Sequence, residues 1–184
     1  MADDELMIVA RAQQGDRENF GLLYDRYVKK IYDFIYFKTN HKETAEDLTI
    51  LVFAKALDNI SVFQNTGKFS AWLYRIARNT VIDHYRGLKK DINIEDVWDL
   101  SEHKDIALDI DVKNKLQEVK KYLSRLSSEQ RDLIVMRVWQ DMSYREIATV
   151  LGKTEAGCKM NFCRLMKNLR SEILLILSIL FLTS

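Results

Sequence analysis

The chain has 184 residues with no proline and six glycines, where average usage would put roughly 12% of positions in those two types, so a loop-rich or collagen-like chain is excluded. Hydrophobic residues at 47% and charged residues at 30% belong to ordinary globular protein, enough for one domain of typical size or two small ones. A net charge of +1 hides a split: 12 basic and 12 acidic residues over 1–87, 5 and 9 over 88–118, and 11 and 6 over 119–184, a neutral front, an acidic middle and a basic back.

The opening MADDELMIVARAQQGD is acidic before any apolar run, unlike a secretory signal. Cys158 and Cys163 make no disulfide framework, so a reducing, cytoplasmic setting is expected. Asp16 followed by Asn19 caps a helix whose apolar residues Phe20, Leu23, Tyr24, Tyr27, Val28, Ile31, Phe34 and Ile35 recur at three and four. Asn40 and Glu43 stand at capping-box spacing and predict a second helix through Ala45, Leu48, Val52, Ala56 and Ile60, with Gly67 marking a break beyond it. A third helix begins near Phe69 and runs past Arg86, with Leu73, Ile76, Ala77 and Val81 inward. Three or four packed helices thus fill a front domain, 1–87.

Over 88–111 no helical stripe is sustained and acidic residues crowd together, which reads as a linker with a short helical turn. Helices are predicted at 112–126, at 128–140 with Ser127 and Gln130 at capping spacing, and at 143–151 with Ser143 and Glu146 as a capping box. Gly152 interrupts, and Thr154 caps a last helix with a buried stripe of Cys158, Phe162, Leu165 and Leu169. Helix, turn, helix at this length is the layout of a duplex-reading motif. The fold class expected is all-α: two small helical domains joined by an acidic linker, the C-terminal one (112–172) a helix-turn-helix. An apolar tail follows at 173–184.

Two surfaces carry chemistry suited to nucleic acid. The last helix exposes Glu155, Lys159, Asn161, Arg164, Lys167 and Arg170, either a plain solvated face or one that reaches phosphates and base edges. In FSAWLYRIARNTVIDHYR, residues 69–86, Trp72, Arg75, Asn79 and Arg86 lie near one helix face with Arg78 beside it. Single-stranded nucleic acid needs such a plane for stacking, an amide for a base edge and guanidinium charge for phosphate; the plainer reading makes Trp72 a partly buried core residue. Enzyme readings find no support: Thr66-Gly67-Lys68 lacks the rest of a phosphate-binding loop, and His41, His84 and His103 have no ligand spacing, so neither a cofactor nor a metal is expected.

AEDLT at 45–49, WLYRIARN at 72–79 and SYREIATVLG at 143–152, with QQGDRENFGLLYDRYV at 13–28, resemble the bacterial sigma factors of the extracytoplasmic-function group, in the same order and at similar separations. The resemblance covers about residues 7–170. It implies a non-catalytic subunit that directs RNA polymerase to promoters. The front domain would open the minus-ten element and the back domain would read the minus-thirty-five element as duplex.

Carried over by motif, the helix with Asp47, Leu48, Ile50, Leu51 and Phe53 would bind the clamp of the polymerase beta-prime subunit. Asn79 and the loop 61–68, with Asn65 and Lys68, would hold a flipped base, and Trp72, Arg75, Arg78 and Arg86 would support the opened strand. Arg145, Thr154, Glu155, Lys159, Asn161 and Arg164 would meet duplex, and the acidic linker would thread toward the polymerase active centre. The resemblance further implies an anti-sigma partner.

Departures from the family pattern are Ile50-Leu51 after AEDLT, where glutamine and glutamate are usual, and Gly157, Cys158, Lys159, Met160 and Asn161 where Thr-Val-Lys-Ser-Arg is typical. Residues 173–182, nine of ten apolar, span roughly 15 Å as a helix, too short to cross a bilayer; burial on protein is favoured over membrane-surface contact. The rival readings are a degenerate sigma-like interaction protein that binds polymerase or an anti-sigma partner without reading promoters, and a plain helix-turn-helix repressor.

Overall fold

The computed structural model of the chain describes residues 2–64, 68–88 and 125–182, with side chains described over 4–64, 68–88 and 125–171. Asn65, nearly all of the expected linker and nearly all of the expected helix 112–126 lie outside the described residues, as do the side chains of the tail.

Every described element is helical. Helix α1, Ala2–Gln13, was not among the expected elements. It buries only Ile8, Val9 and Ala12, too few positions to make a readable stripe. Polar anchors supplement them. The Gln13 amide donates to the carbonyls of Ile60 and Phe63 at 3.1 and 2.7 Å, and the Tyr27 hydroxyl donates to Glu5 at 2.6 Å. Helix α2, Arg17–Thr39, starts where Asp16 accepts from the backbone of Glu18 and Asn19.

The start of α3, Lys42–Asn59, departs from the expected capping box. Asn40 instead ends α2: it sits in the left-handed region at φ 48°, and its backbone N–H returns to the Tyr36 carbonyl at 2.8 Å. His41 is the N-cap, its Nδ1 accepting from the Thr44 N–H at 3.3 Å. Asparagine serves either end of a helix because its short amide tolerates positive φ, and here only two residues, Asn40 and His41, separate the two helices. A 3₁₀ turn at Ile60–Val62 closes α3, and α4, Phe69–Leu88, lies across α2 and α3. Leu23, Ile31, Phe34, Ile35, Val52, Leu73 and Ala77 form the dry centre, with the Phe34 ring edge-on to Tyr74 at 5.3 Å.

The back unit comprises α5, Ser128–Val138, α6, Tyr144–Leu151, and α7, Glu155–Leu182. Both expected capping boxes form, Ser127 with Gln130 and Ser143 with Glu146. Gly152 ends α6 at φ 66°, a conformation that costs a side-chain-bearing residue about 1–2 kcal/mol. Thr154 Oγ1 then accepts from the Gly157 N–H at 3.1 Å, so α7 is capped as expected. Leu133, Met136, Ile147, Val150, Cys158 and Leu165 fill this core, and Phe162 and Leu169 pack at its edge. The two units are not held apart: α6 lies directly against α4.

The α2 end yields a test. Asn40→Gly should leave the thermal midpoint unchanged or slightly raised, whereas Asn40→Val should lower stability by about 1–2 kcal/mol, because a β-branched residue resists positive φ. Thermal melts followed by circular dichroism measure both.

Candidate functional site

Helix α4 has two working sides. Phe69, Leu73, Ala77 and Val81 are buried inward. Arg75, Asn79 and Arg86, four and seven residues apart, are exposed on the outer side and make no ion pair or hydrogen bond with another described residue. Two guanidinium groups and an amide, none paired with another described residue, thus line about three turns of one helix. Trp72 is half-buried, its ring 5.1 Å from Phe63 and 5.5 Å from Phe69. The plainer expectation for Trp72 therefore holds in part: the indole belongs to an aromatic cluster and shows solvent only part of its surface.

The remaining cations of the expected minus-ten set are engaged by the back unit. Arg78 Nε donates to Asp132 at 2.8 Å, and the other carboxylate oxygen of Asp132 binds the Lys38 ammonium. Asp132 is 1% exposed, so one carboxylate neutralises two cations from α2 and α4 in a place closed to water. Lys68 pairs with Glu146 at 3.3 Å, and the Ser70 hydroxyl donates to the same oxygen at 3.1 Å. The Tyr74 hydroxyl donates to Gln140 at 2.6 Å, and burial drives its pKa well above the ordinary tyrosine value, so it remains a donor. Beyond α4, the Phe37 and Trp139 rings meet at 5.2 Å. These contacts clasp α4 from Lys68 to Arg78.

Glu146 does two jobs, capping α6 and closing this seam. Burial pushes its pKa up, but hydrogen bonds from Ser143, the Lys68 charge and the Ser70 hydroxyl outweigh that, and the net shift is downward.

On α3, Asp47, Ile50 and Leu51 are exposed, Ile50 by 66%, so the unusual apolar pair faces outward and does not pack within the chain. Leu48 and Phe53, expected from the resemblance to belong to the same docking helix, are buried, with Phe53 edge-on to Tyr24 at 4.7 Å, so they seat α3 in the core and leave its outward face to Asp47, Ile50 and Leu51. At the other end, Arg145, Thr154, Glu155, Lys159 and Arg164 are exposed and Asn161 is half-buried, around the turn between α6 and α7. Lys38, Asp132 and Gln140 carry no signal in the sequence: Lys38 and Asp132 are polar positions in helices rich in polar residues, and Gln140 follows the end of α5. His41 is a cap and His84 stands beside Tyr85, and no metal-ligating cluster occurs among the described residues.

A family model described as sigma-70 region 2 matches residues 23–90, and one described as sigma-70, region 4 matches 116–169. The extracytoplasmic-function sigma factor BldN of Streptomyces coelicolor is 35% identical over 159 residues, covering 83% of this chain and 59% of that protein. The chain belongs to the sigma-70 family, in its extracytoplasmic-function group. The chain spans less than two thirds of the length of BldN but 98% of SigW, the extracytoplasmic-function sigma factor of Bacillus subtilis, to which it is 29% identical over 92% of its own length. The structure of the sigma factor RpoE with the anti-sigma factor NepR from Bartonella quintana shares the fold at a TM-score of 0.64 and 23% identity, covering 84% of this chain and 96% of that one.

Two tests follow from the seam between the sigma-70 region 2 and region 4 units. Asp132→Asn removes the shared negative charge and leaves two cations whose cheapest recourse is water, so the units should part. Small-angle scattering should then show a radius of gyration increased over wild type, which itself should lie nearer the roughly 16 Å of a compact chain of this length. Acid should act on the same seam. Because Glu146 has a lowered folded-state pKa, its stabilisation is full above the ordinary carboxylate range and is lost as pH falls through the lowered value. Glu146→Gln should flatten that acid limb in melts taken below about pH 5.

Proposed function

We propose that this chain directs RNA polymerase to promoters and assists their opening, as a cytoplasmic initiation subunit with no catalysis of its own. RNA polymerase performs the chemistry, and the chain selects where it starts. The observation that supports this most is that one chain carries both the free Arg75, Asn79 and Arg86 face on α4 and a capped helix-turn-helix at α6 and α7. A repressor would need only the second.

In this reading residues 1–87 form the minus-ten domain, 88–111 an acidic connector and 112–172 the minus-thirty-five domain. Asn79 reads a flipped base, Arg75 and Arg86 hold phosphates, and Asn65 belongs to the loop that receives the base. Arg145 and the first turns of α7 enter duplex. Asp47, Ile50 and Leu51 are the docking face for the polymerase clamp, which the apolar pair makes less polar than is usual for the family. An anti-sigma partner, like the one named in the RpoE structure, is the expected regulator. No helix of the described residues is long and apolar enough to cross a membrane.

Phosphates compete with Asp132 and Glu146 for Arg78 and Lys68. The packed arrangement and a fully engaged minus-ten strand therefore exclude each other, and a partner that prefers the open form shifts the balance toward it. The isolated chain should bind duplex weakly, and Asp132→Asn should bind it more tightly. Transcription with core polymerase on a genomic fragment library tests the function itself: defined start sites are expected with the chain and none without. With Asn79→Ala, discrimination at one minus-ten position should fall by about 1–3 kcal/mol while polymerase binding is unchanged. Tight, salt-sensitive duplex binding by the chain alone with no polymerase-dependent start sites would favour the repressor.

A further inference from the structure

The outward side of α7 is not uniformly basic. Ala156, Lys159, Met160, Cys163, Arg164 and Lys167 follow one another at three, one, three, one and three, which places them on one face. All six are exposed, and Met160, at 60%, is the only large apolar side chain among them. The inward side is accounted for by Cys158 and Leu165, so Met160 is not core that has slipped into solvent. An exposed methionine ringed by cations is a poor surface for an apolar protein partner, because docking one would strip water from Lys159, Arg164 and Lys167 without supplying counter-charge. It is a good surface for a polyanion that carries apolar groups between its charges. Duplex DNA is such a ligand: phosphates line the major groove, and each thymine projects a C5-methyl into it.

We infer that Met160 reads a thymine C5-methyl in the major groove, making it a specificity-determining residue of the upstream promoter element. The inference rests on the proposal that α7 is the duplex-reading helix. Met160 lies in the second turn of α7, five residues after its first residue Glu155, within the N-terminal stretch that a recognition helix turns toward base edges. Ala156 is one turn earlier on the same line, about 6 Å away along the axis, so its smaller methyl faces a base about two steps from the one Met160 meets. Lys159 and Arg164 flank Met160 and take phosphate or guanine. The methionine thioether has no donor and only a weak acceptor, so its recognition is of shape and apolar area, and a side chain with three rotatable bonds adapts to the groove wall.

Deoxyuridine differs from thymidine by that methyl alone and supplies the probe. Holoenzyme assembled from the full chain and core polymerase is first used to select an upstream element from a randomised duplex pool. Each thymine of the selected element is then replaced singly by deoxyuridine, with adenine retained opposite. At one position the wild type should lose about three- to tenfold in promoter occupancy, as expected for one methyl removed from an apolar contact. Met160→Gln should bind the two duplexes equally there, whereas Met160→Leu should keep most of the preference. Because Met160 is exposed, these variants should melt as wild type does. The inference is overturned if no upstream thymine is distinguished from deoxyuridine, or if the distinction survives in Met160→Gln. A pool that yields no preferred upstream element at all would sink the duplex-reading role of α7 and this inference with it, an outcome distinct from a defined element that ignores the methyl.

Discussion

Asp132 sets how the two described units meet. A carboxylate removed from water costs several kcal/mol unless close, well-directed partners replace its hydration, and here Arg78 and Lys38 do so from two different helices of the front unit. The three groups are 94 and 54 residues apart in the chain, so their meeting fixes where α5 lies on α2 and α4. The contacts around them fall into line with that placement: Tyr74 to Gln140, Ser70 and Lys68 to Glu146, Phe37 against Trp139. This is an interface built from polar specificity more than apolar area. Such interfaces are sharply oriented, and they are also separable, because each charged group has water as an alternative partner.

Helix α4 is thereby divided by function along its circumference. One side is core. A second, from Lys68 to Arg78, is held by the back unit, and the third, with Arg75, Asn79 and Arg86, is open. Under the proposed function, charges that would meet nucleic acid in one state serve cohesion in the other. The solution is economical for a chain with a net charge of only +1, since cations left free along the whole of α4 would repel one another and attract non-specific polyanions.

What was legible in the sequence was local. The capping residues Asp16, Ser127, Ser143 and Thr154, the left-handed Gly152 and the stripes of α2, α4 and α7 depend on neighbours within four residues, and spacing alone reveals them. Asn40 shows the limit of that logic. Its residue type suits a helix start and a helix end equally, and the choice fell to His41, whose imidazole could cap in its place. The AEDLT resemblance treats its helix as one unit, whereas helical periodicity turns Leu48 and Phe53 inward and leaves Asp47, Ile50 and Leu51 outside. Asp132 was beyond reach altogether. A lone aspartate in a helix reads as solvated surface, and only tertiary distance reveals that two cations wait for it. Trp72 lay between these cases, since spacing placed it on α4 correctly but could not say how much of its ring Phe63 and Phe69 would cover.

Helix α7 runs without interruption from Glu155 to Leu182, 28 residues and thus about 42 Å of rod. Its first turns hold the Thr154 cap and the Met160 face, and its far end is the apolar sequence 173–182. A continuous hydrogen-bonded helix transmits torque and tilt with little loss. Anything that grips the far end therefore steers the near end mechanically: a tilt of about ten degrees about the midpoint swings either tip by roughly 4 Å, about the rise of one base pair.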